Sequence, residues 1–130
     1  MSPAERLGGD PPSPFEDRYG FSRVLRAGPF VLVGGTTSVD QDGIVLGGGP
    51  YEQTIEILGK IEHELGRMGA TLADVVSTRF YVTDISRAED AGRAHGEVFG
   101  DRRPLMTMVE VSALIDPRMM VEVEAVAYVG

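Results

Sequence analysis

The sequence predicts an α+β protein in which two helices cover one face of a mixed β-sheet. Segments with the period-two alternation of strands occur near both ends of the chain and once in its middle. Two segments with apolar residues at steps of three and four, typical of amphipathic helices, lie between them. Two helices packed on one sheet face would bury both apolar surfaces, which favours this arrangement of layers.

The chain begins with a segment that predicts a flexible arm. Residues 1–14 combine prolines, glycines and charges without a long apolar run, so they predict neither a signal peptide nor a membrane anchor. Residues 15–130 form the single predicted domain. We expect its first two strands at Tyr19–Leu25 and Phe30–Val33, joined by a turn that contains glycine and proline.

Two amphipathic helices are predicted after these strands. The first begins at Pro50, where the missing N–H costs nothing, and ends at Gly69. Its expected buried stripe is Tyr51, Ile55, Leu58, Ile61, Leu65 and Met68. The second begins at Ser86, with Glu89 in a capping-box position, and runs to about Phe99. Its expected buried stripe is Ala88, Ala91, Ala94 or His95, and Val98.

Three further strands are predicted at residues 75–82, 103–111 and 121–127. Alternation in the last strand puts Val121, Val123, Ala125 and Ala127 on an apolar face and turns Glu122 and Glu124 to the other. In strand 75–82 we expect one face to carry Val76, Thr78, Phe80 and Val82, and the other Ser77, Arg79, Tyr81 and Thr83. The polar face of this sheet suits either solvent or the inside of an oligomer.

Composition excludes several classes of function. The net charge of −8 opposes non-specific binding of nucleic acid and gives no support for an anionic membrane surface. The absence of cysteine excludes disulfides, thiolate catalysis and cysteine zinc sites. His63 and His95 have no close histidine partner, so no metal site is expected. We expect a cytoplasmic protein, because no segment reaches membrane-spanning length.

Several motifs, in their order and spacing, resemble the RidA/YjgF family of reactive-intermediate deaminases, also labelled L-PSP endoribonucleases. The best matches are the Pro-x-x-Thr-x-Val-x-Val segment and the acidic Val-Glu-Val-Glu-Ala strand near the end of the chain. The segments that carry the resemblance are residues 33–37, 53–54, 65–70, 74–76, 81–84, 103–111 and 121–125.

The resemblance implies a chorismate-mutase-like fold that assembles as a homotrimer. The sheets would form a central barrel with the helices outside, and three clefts would lie between adjacent subunits. In such proteins each cleft handles an imine or enamine made from an amino acid, and no metal or organic cofactor is used. The implied partners are therefore a small-molecule substrate and other copies of the chain, with no nucleic acid or membrane.

Family residues carry over to this sequence with one clear departure. The cleft glutamate aligns with Glu122 as the catalytic acid/base. Residues expected to bind substrate are Tyr19, Gly35, Thr36 and Thr107. The arginine that clamps the substrate carboxylate aligns with Met106, whose thioether cannot pair with a carboxylate.

Three hypotheses follow from this departure. The first is a divergent enzyme for hydrolytic deamination of an imine or enamine, or for a related hydrolysis or isomerisation of an atypical substrate. Arg79, Arg102 or Arg103 would then replace the missing cation, and His95 would lie near the cleft, although exposed arginines and a helix-face histidine are the structural alternatives. The second is a non-catalytic small-molecule binding or regulatory trimer. The third, an endoribonuclease, is disfavoured by the acidic charge and by the lack of a basic patch.

Overall fold

The computed structural model describes residues 3–40 and 42–130. Residues 1 and 2 of the predicted arm lie outside this part of the chain. The elements are β1 (Glu5–Leu7), α1 (Pro14–Tyr19), β2 (Val24–Ala27), β3 (Phe30–Thr36), α2 (Pro50–Arg67), β4 (Val75–Val82), α3 (Ala88–Phe99), β5 (Leu105–Glu110) and β6 (Val121–Tyr128). Single 3₁₀ turns precede β4 and α3 and follow α3, at Leu72–Asp74, Ile85–Arg87 and Gly100–Arg102. No helix in the described ranges combines the length and apolar character needed to cross a bilayer.

The strands form one mixed sheet in the order β1-β2-β3-β6-β4-β5. β5 runs parallel to β4, and all the other neighbouring pairs are antiparallel. α2 packs against β3, β6 and α3, so α2 and α3 form a layer on one face of the sheet. The mixed sheet with two helices on one face, as predicted from the sequence, is confirmed.

The core lies between this helical layer and the sheet. The predicted apolar face of β6 is confirmed, since its four residues are each at most 2% exposed. They pack with buried side chains of the other strands and of α2, among them Val31, Val33, Phe80, Ile57, Leu58, Ile61 and Leu65. Burial of this apolar surface supplies the main free energy of folding.

The buried stripe of α2 is rotated from the one predicted. Ile55 is 37% exposed and Tyr51 is only half-buried, whereas Ile57 is fully buried. Gln53 is also buried, because its side-chain amide bonds the backbone of two loops, at Leu46 and at Arg118 and Met120. Polar residues with backbone partners therefore take positions that the apolar pattern assigns to the surface.

A bulge in β4 overturns one expected face. The register with β6 shifts between Val75 and Ser77, so Val75 is buried and Val76 is 43% exposed. The extra residue reverses the alternation for one position. From Thr78 onward the predicted faces hold, with Thr78 and Phe80 each 1% exposed on the helical side.

The N-terminal expectations are also wrong in part. Glu5–Leu7, within the predicted arm, pairs with β2 as an edge strand. Tyr19 ends helix α1, which Ser13 caps, so the first strand of the predicted hairpin starts later, at Val24. The second predicted helix begins two residues later than expected, at Ala88, and has no side-chain cap. Asp84 rather than Ser86 accepts a capping bond, and it caps the 3₁₀ turn Ile85–Arg87 that precedes α3.

Candidate functional site

The sheet face opposite the helical layer carries most of the polar side chains that the sequence singles out. We call it the open face; it bears Leu32 of β3, Ser77, Arg79 and Tyr81 of β4, Thr107 of β5, and Glu122 and Glu124 of β6. Directly paired residues share a face, so Tyr81 lies opposite Glu122 and Arg79 lies opposite both Glu124 and Thr107. The register thus brings three of the predicted site residues, Arg79, Thr107 and Glu122, onto one surface.

Glu122 occupies a notch formed by a bulge in β3. The β3–β6 register shifts between Val33 and Thr36, so Gly34 and Gly35 bulge where the two strands meet. A Cβ atom added to Gly35 would lie 2.6 Å from Oε2 of Glu122. Only a glycine therefore leaves the space in which this carboxyl group sits.

Burial changes the acidity of this carboxyl group. Partial burial raises the pKa of Glu122, the charge of Glu124 raises it further, and the nearby Arg23 guanidinium lowers it. A carboxyl group with a raised pKa holds and releases a proton closer to neutral pH than an exposed one. Such a shift is typical of catalytic acids and bases.

Arg23 lies near Glu122 and Gly35, and we call these three residues the Glu122 corner. No motif in the sequence points to Arg23. Its Nη1 donates to the Gly35 carbonyl at 2.6 Å, and its Nη2 lies 3.7 Å from Oε2 of Glu16. Glu16 is buried and also accepts bonds from the backbone N–H groups of Gly9 and Ser13. The available sequence signal was a lone cation on the face of a predicted strand, which is also common at surfaces.

A second polar group lies beside this corner on β4 and β5. Arg79, Phe80, Tyr81, Thr107 and Val109 line a depression of about 190 Å³. The Tyr81 hydroxyl donates to Oε1 of Glu124, and this bond, with burial, raises the pKa of Tyr81. Arg79 therefore lies on the same face as Glu124, whose carboxylate already accepts a hydrogen bond from Tyr81.

His95 and Met106 lie on the opposite side of the sheet from Glu122. Met106 pairs with Thr78, whose Oγ1 lies 3.0 Å from Nε2 of His95. His95 is 8% exposed and contacts the rings of Phe80 and Phe99, and this burial lowers its pKa. Within one chain the structure does not bring the position of the missing clamp next to Glu122.

The remaining predicted residues do not join either group. Thr36 is 1% exposed on the helical side and donates to the Gly34 carbonyl. Tyr19 is 58% exposed and stacks on Phe15, while Phe21 is the aromatic residue beside Arg23. Arg102 and Arg103 are exposed in the turn after α3.

No group of three or more potential metal ligands occurs within residues 3–40 and 42–130. The chemistry available at the Glu122 corner is proton transfer by a carboxyl group beside a guanidinium and an exposed backbone. Those are the elements of general acid/base catalysis on a small molecule.

Comparison with known proteins gives consistent relationships. The family model described as Endoribonuclease L-PSP matches residues 13–129. An uncharacterised protein of Streptomyces coelicolor is 37% identical over 118 residues, covering 91% of this chain and 88% of that protein. The 3-aminoacrylate deaminase RutC of Acinetobacter baylyi is 29% identical over 107 residues, covering 82% and 84% of the two chains.

The similarity extends to solved structures. The crystal structure of Rv2704 from Mycobacterium tuberculosis, described as a member of the YjgF/YER057c/UK114 family, has a TM-score of 0.87 at 47% identity. The match covers 98% of this chain and 100% of that chain.

Proposed function

Because the chain belongs to the endoribonuclease L-PSP family, also known as RidA/YjgF, we propose that it is an enzyme that hydrolyses an imine or enamine and releases ammonia. The observation that carries the proposal is the Glu122 carboxyl group, held in the Gly35 notch with a raised pKa. The name of the RutC relative, a 3-aminoacrylate deaminase, supports the same reaction class.

The reaction needs proton transfers in two steps at one position. Glu122 as carboxylate would take a proton from water while the water oxygen bonds to the imine carbon. Glu122 as acid would then give this proton to the imine nitrogen, which completes a carbinolamine. The carboxylate would next take the carbinolamine hydroxyl proton and pass it to the amine nitrogen as the C=O bond forms and the C–N bond breaks, so that the carbonyl product and ammonia leave. A single carboxyl group whose pKa lies above its usual range serves both steps, and an enamine enters after protonation at carbon.

Arg23 and Gly35 would prepare the corner for this chemistry. The guanidinium is fixed by the Gly35 carbonyl and by Glu16, so it supplies a positive charge without needing to be ordered during the reaction. Glycine at position 35 leaves the backbone accessible to a small substrate.

We further propose that the functional unit is a homotrimer with sites between subunits. The open face carries exposed apolar side chains, namely Phe30, Leu32, Leu105, Val109 and Tyr128. An exposed apolar surface of this kind marks an interface. Association would also let Met106 of one subunit approach Glu122 of another, which their positions on opposite faces prevent within one chain.

The proposal is tested by replacing the proposed acid/base. Imines generated in situ by an amino-acid oxidase would be supplied to wild type, Glu122→Gln and the control Glu62→Gln, which removes a carboxylate from the exposed side of α2. We expect Glu122→Gln to slow ammonia release by roughly 10²-fold or more. Hydrolysis by this variant at the wild-type rate, with both proteins folded, would refute the assignment.

A specific observation favours a second candidate, a non-catalytic binding or regulatory protein. The clamp position holds Met106, so the bidentate carboxylate contact that the family resemblance implies is missing. If wild type turns over no imine or enamine, and Glu122→Gln binds small acids as wild type does, this second function replaces the first.

A further inference from the structure

We propose that the depression on β4 and β5, which we call the Arg79 pocket, is a binding subsite for a carboxylate. Its lining is Arg79, Phe80, Tyr81, Thr107 and Val109. The substrate class that this subsite implies rests on the proposed function, whereas the binding of a carboxylate at Arg79 does not. The consequence is that the protein recognises acids whose carboxylate lies several atoms from the reacting carbon.

The first argument is that the guanidinium of Arg79, which interacts with the Tyr81 hydroxyl, has no carboxylate partner among the described residues of one chain. Glu124 lies directly opposite Arg79 in the β4–β6 register, where an ion pair would be expected. Instead the Glu124 carboxylate accepts a hydrogen bond from the Tyr81 hydroxyl. Throughout residues 3–40 and 42–130, none of the ion pairs within 4.0 Å includes Arg79.

The second argument is the composition and size of the pocket. Thr107 pairs directly with Arg79 across the parallel strands, so its hydroxyl shares the pocket with the guanidinium. A guanidinium with an adjacent hydroxyl suits the two oxygens of a carboxylate, while Val109 supplies an apolar wall. The volume, about 190 Å³, is below the roughly 300–1,000 Å³ of sites that enclose a whole drug-sized ligand, so the pocket suits one end of a molecule.

The third argument is the position of the pocket relative to Glu122. The pocket lies between β4 and β5, whereas Glu122 lies on the adjacent strand β6, on the same face. Neighbouring strands are roughly 4.8 Å apart, so the two centres are separated by roughly 5–10 Å. A 2-imino acid, in which carboxylate and imine carbons are bonded to each other, is too short to reach both.

Arg79 is therefore the residue that replaces the missing clamp, and it does so at a different place. Arg102 and Arg103 lie in the exposed turn after α3 and do not line the pocket. The Glu122 corner has Arg23, but this arginine is already held by Gly35 and Glu16. Arg79 has no carboxylate partner among the described residues, so its charge can pair with a ligand that extends from the Glu122 corner along the open face.

Direct binding tests the subsite without requiring catalysis. Glutarate, a five-carbon dicarboxylate, and its uncharged diamide would be titrated into wild type, Arg79→Gln, Thr107→Val and the control Arg102→Gln, monitored by NMR shifts and calorimetry. We expect glutarate to bind at least tenfold more tightly than the diamide to wild type and to Arg102→Gln. Arg79→Gln should lose this preference, and Thr107→Val should weaken it while leaving the fold intact by circular dichroism.

Equal binding of glutarate and the diamide to wild type, or an unchanged preference in Arg79→Gln, would overturn the subsite. Hydrolysis measurements separate this result from the proposed function. Preferential glutarate binding by a protein that hydrolyses no imine would leave the subsite standing and remove the proposed reaction. Imine hydrolysis by a protein with no preference for glutarate would support the proposed reaction and overturn the subsite.

Discussion

The Glu122 carboxylate lies so close to Gly35 that a Cβ atom at residue 35 would be 2.6 Å from its Oε2 and 3.1 Å from its Cδ. Because the φ angle of Gly35 is not positive, the constraint is the space that the carboxylate needs and not the backbone conformation. Glycine is therefore required here only as long as residue 122 carries a carboxyl group in this position.

Gly35→Ala is expected to displace the Glu122 carboxyl group and to abolish most imine hydrolysis. The cost in the free energy of unfolding should fall below the roughly 1–3 kcal/mol typical of overpacking, since the displaced atoms end a flexible side chain. Gly34→Ala is the matched control, because its Cβ would meet only backbone oxygens at 3.6 and 3.7 Å. Chemical denaturation and activity assays of both variants check this prediction.

A double-mutant cycle isolates the interaction between residue 35 and the Glu122 carboxyl group. In a Glu122→Ala background, Gly35→Ala should have little further effect on the free energy of unfolding. If Gly35→Ala still lowers the free energy of unfolding when residue 122 is alanine, the steric conflict lies in the backbone of β3 and not with the carboxyl group.

Glu122→Gln is expected to make the protein more stable at neutral pH. The folded pKa of Glu122 is raised, so the folded state favours the protonated form more than the unfolded chain does. Stability from this group is complete below the unfolded pKa of 4.5 and is lost as pH rises through the folded value. The free energy of unfolding of Glu122→Gln should therefore exceed that of wild type by an amount that grows between pH 4.5 and 7, as measured by urea denaturation at several pH values.

Much of the fold was predictable because it depends on local pattern. The alternation in β6 and the three- and four-residue steps in α2 are properties of adjacent residues, and both elements were found. The bulge at Val75–Ser77 was not predictable, because it is defined by the partner strand. The burial of Gln53 depends in the same way on a distant segment, because its amide bonds the backbone at Arg118 and Met120, 65 and 67 residues along the chain, as well as the nearby Leu46.

The candidate site was predictable only in part for the same reason. The family resemblance points to Glu122 and Gly35, and in the structure the Glu122 carboxyl group lies against the Gly35 backbone. Arg23 joins them because β2 and β3 pair, which brings its side chain to the Gly35 carbonyl. The same cleft is the expected place of Met106 and His95, but within one chain strand alternation puts Met106 on the opposite face of the sheet, and α3 carries His95 on that side.

Thr78→Val is expected to destabilise the protein by about 1–3 kcal/mol. The substitution keeps the shape of the side chain but leaves Nε2 of the buried His95 without the hydroxyl that now lies 3.0 Å away. Thermal and urea denaturation would measure the loss. In Thr78→Val/His95→Phe both polar groups are gone, so we expect this variant to be more stable than Thr78→Val; equal stability would show that the hydrogen bond contributes little.

His95 should also give the protein a measurable acid sensitivity. Burial lowers the folded pKa of His95 below the unfolded value of 6.5, so the unfolded chain binds a proton more readily. Stability is therefore lost as pH falls from 6.5 toward the folded pKa. Relative to His95→Phe, wild type should lose more stability between pH 7 and 5, and identical pH slopes for the two proteins would refute this assignment.

Leu105→Glu is expected to prevent assembly. Leu105 is 76% exposed in the single chain and pairs with Ser77 on the open face, where the other exposed apolar residues also lie. A charge there opposes burial against another copy of the chain, because an unpaired buried carboxylate is strongly unfavourable. Sedimentation should show three 14.0 kDa chains together for wild type and single chains for this variant. Ile55→Glu, which places the same charge on the exposed side of α2, should leave the trimer intact; a wild-type protein that sediments as a monomer would exclude sites between subunits.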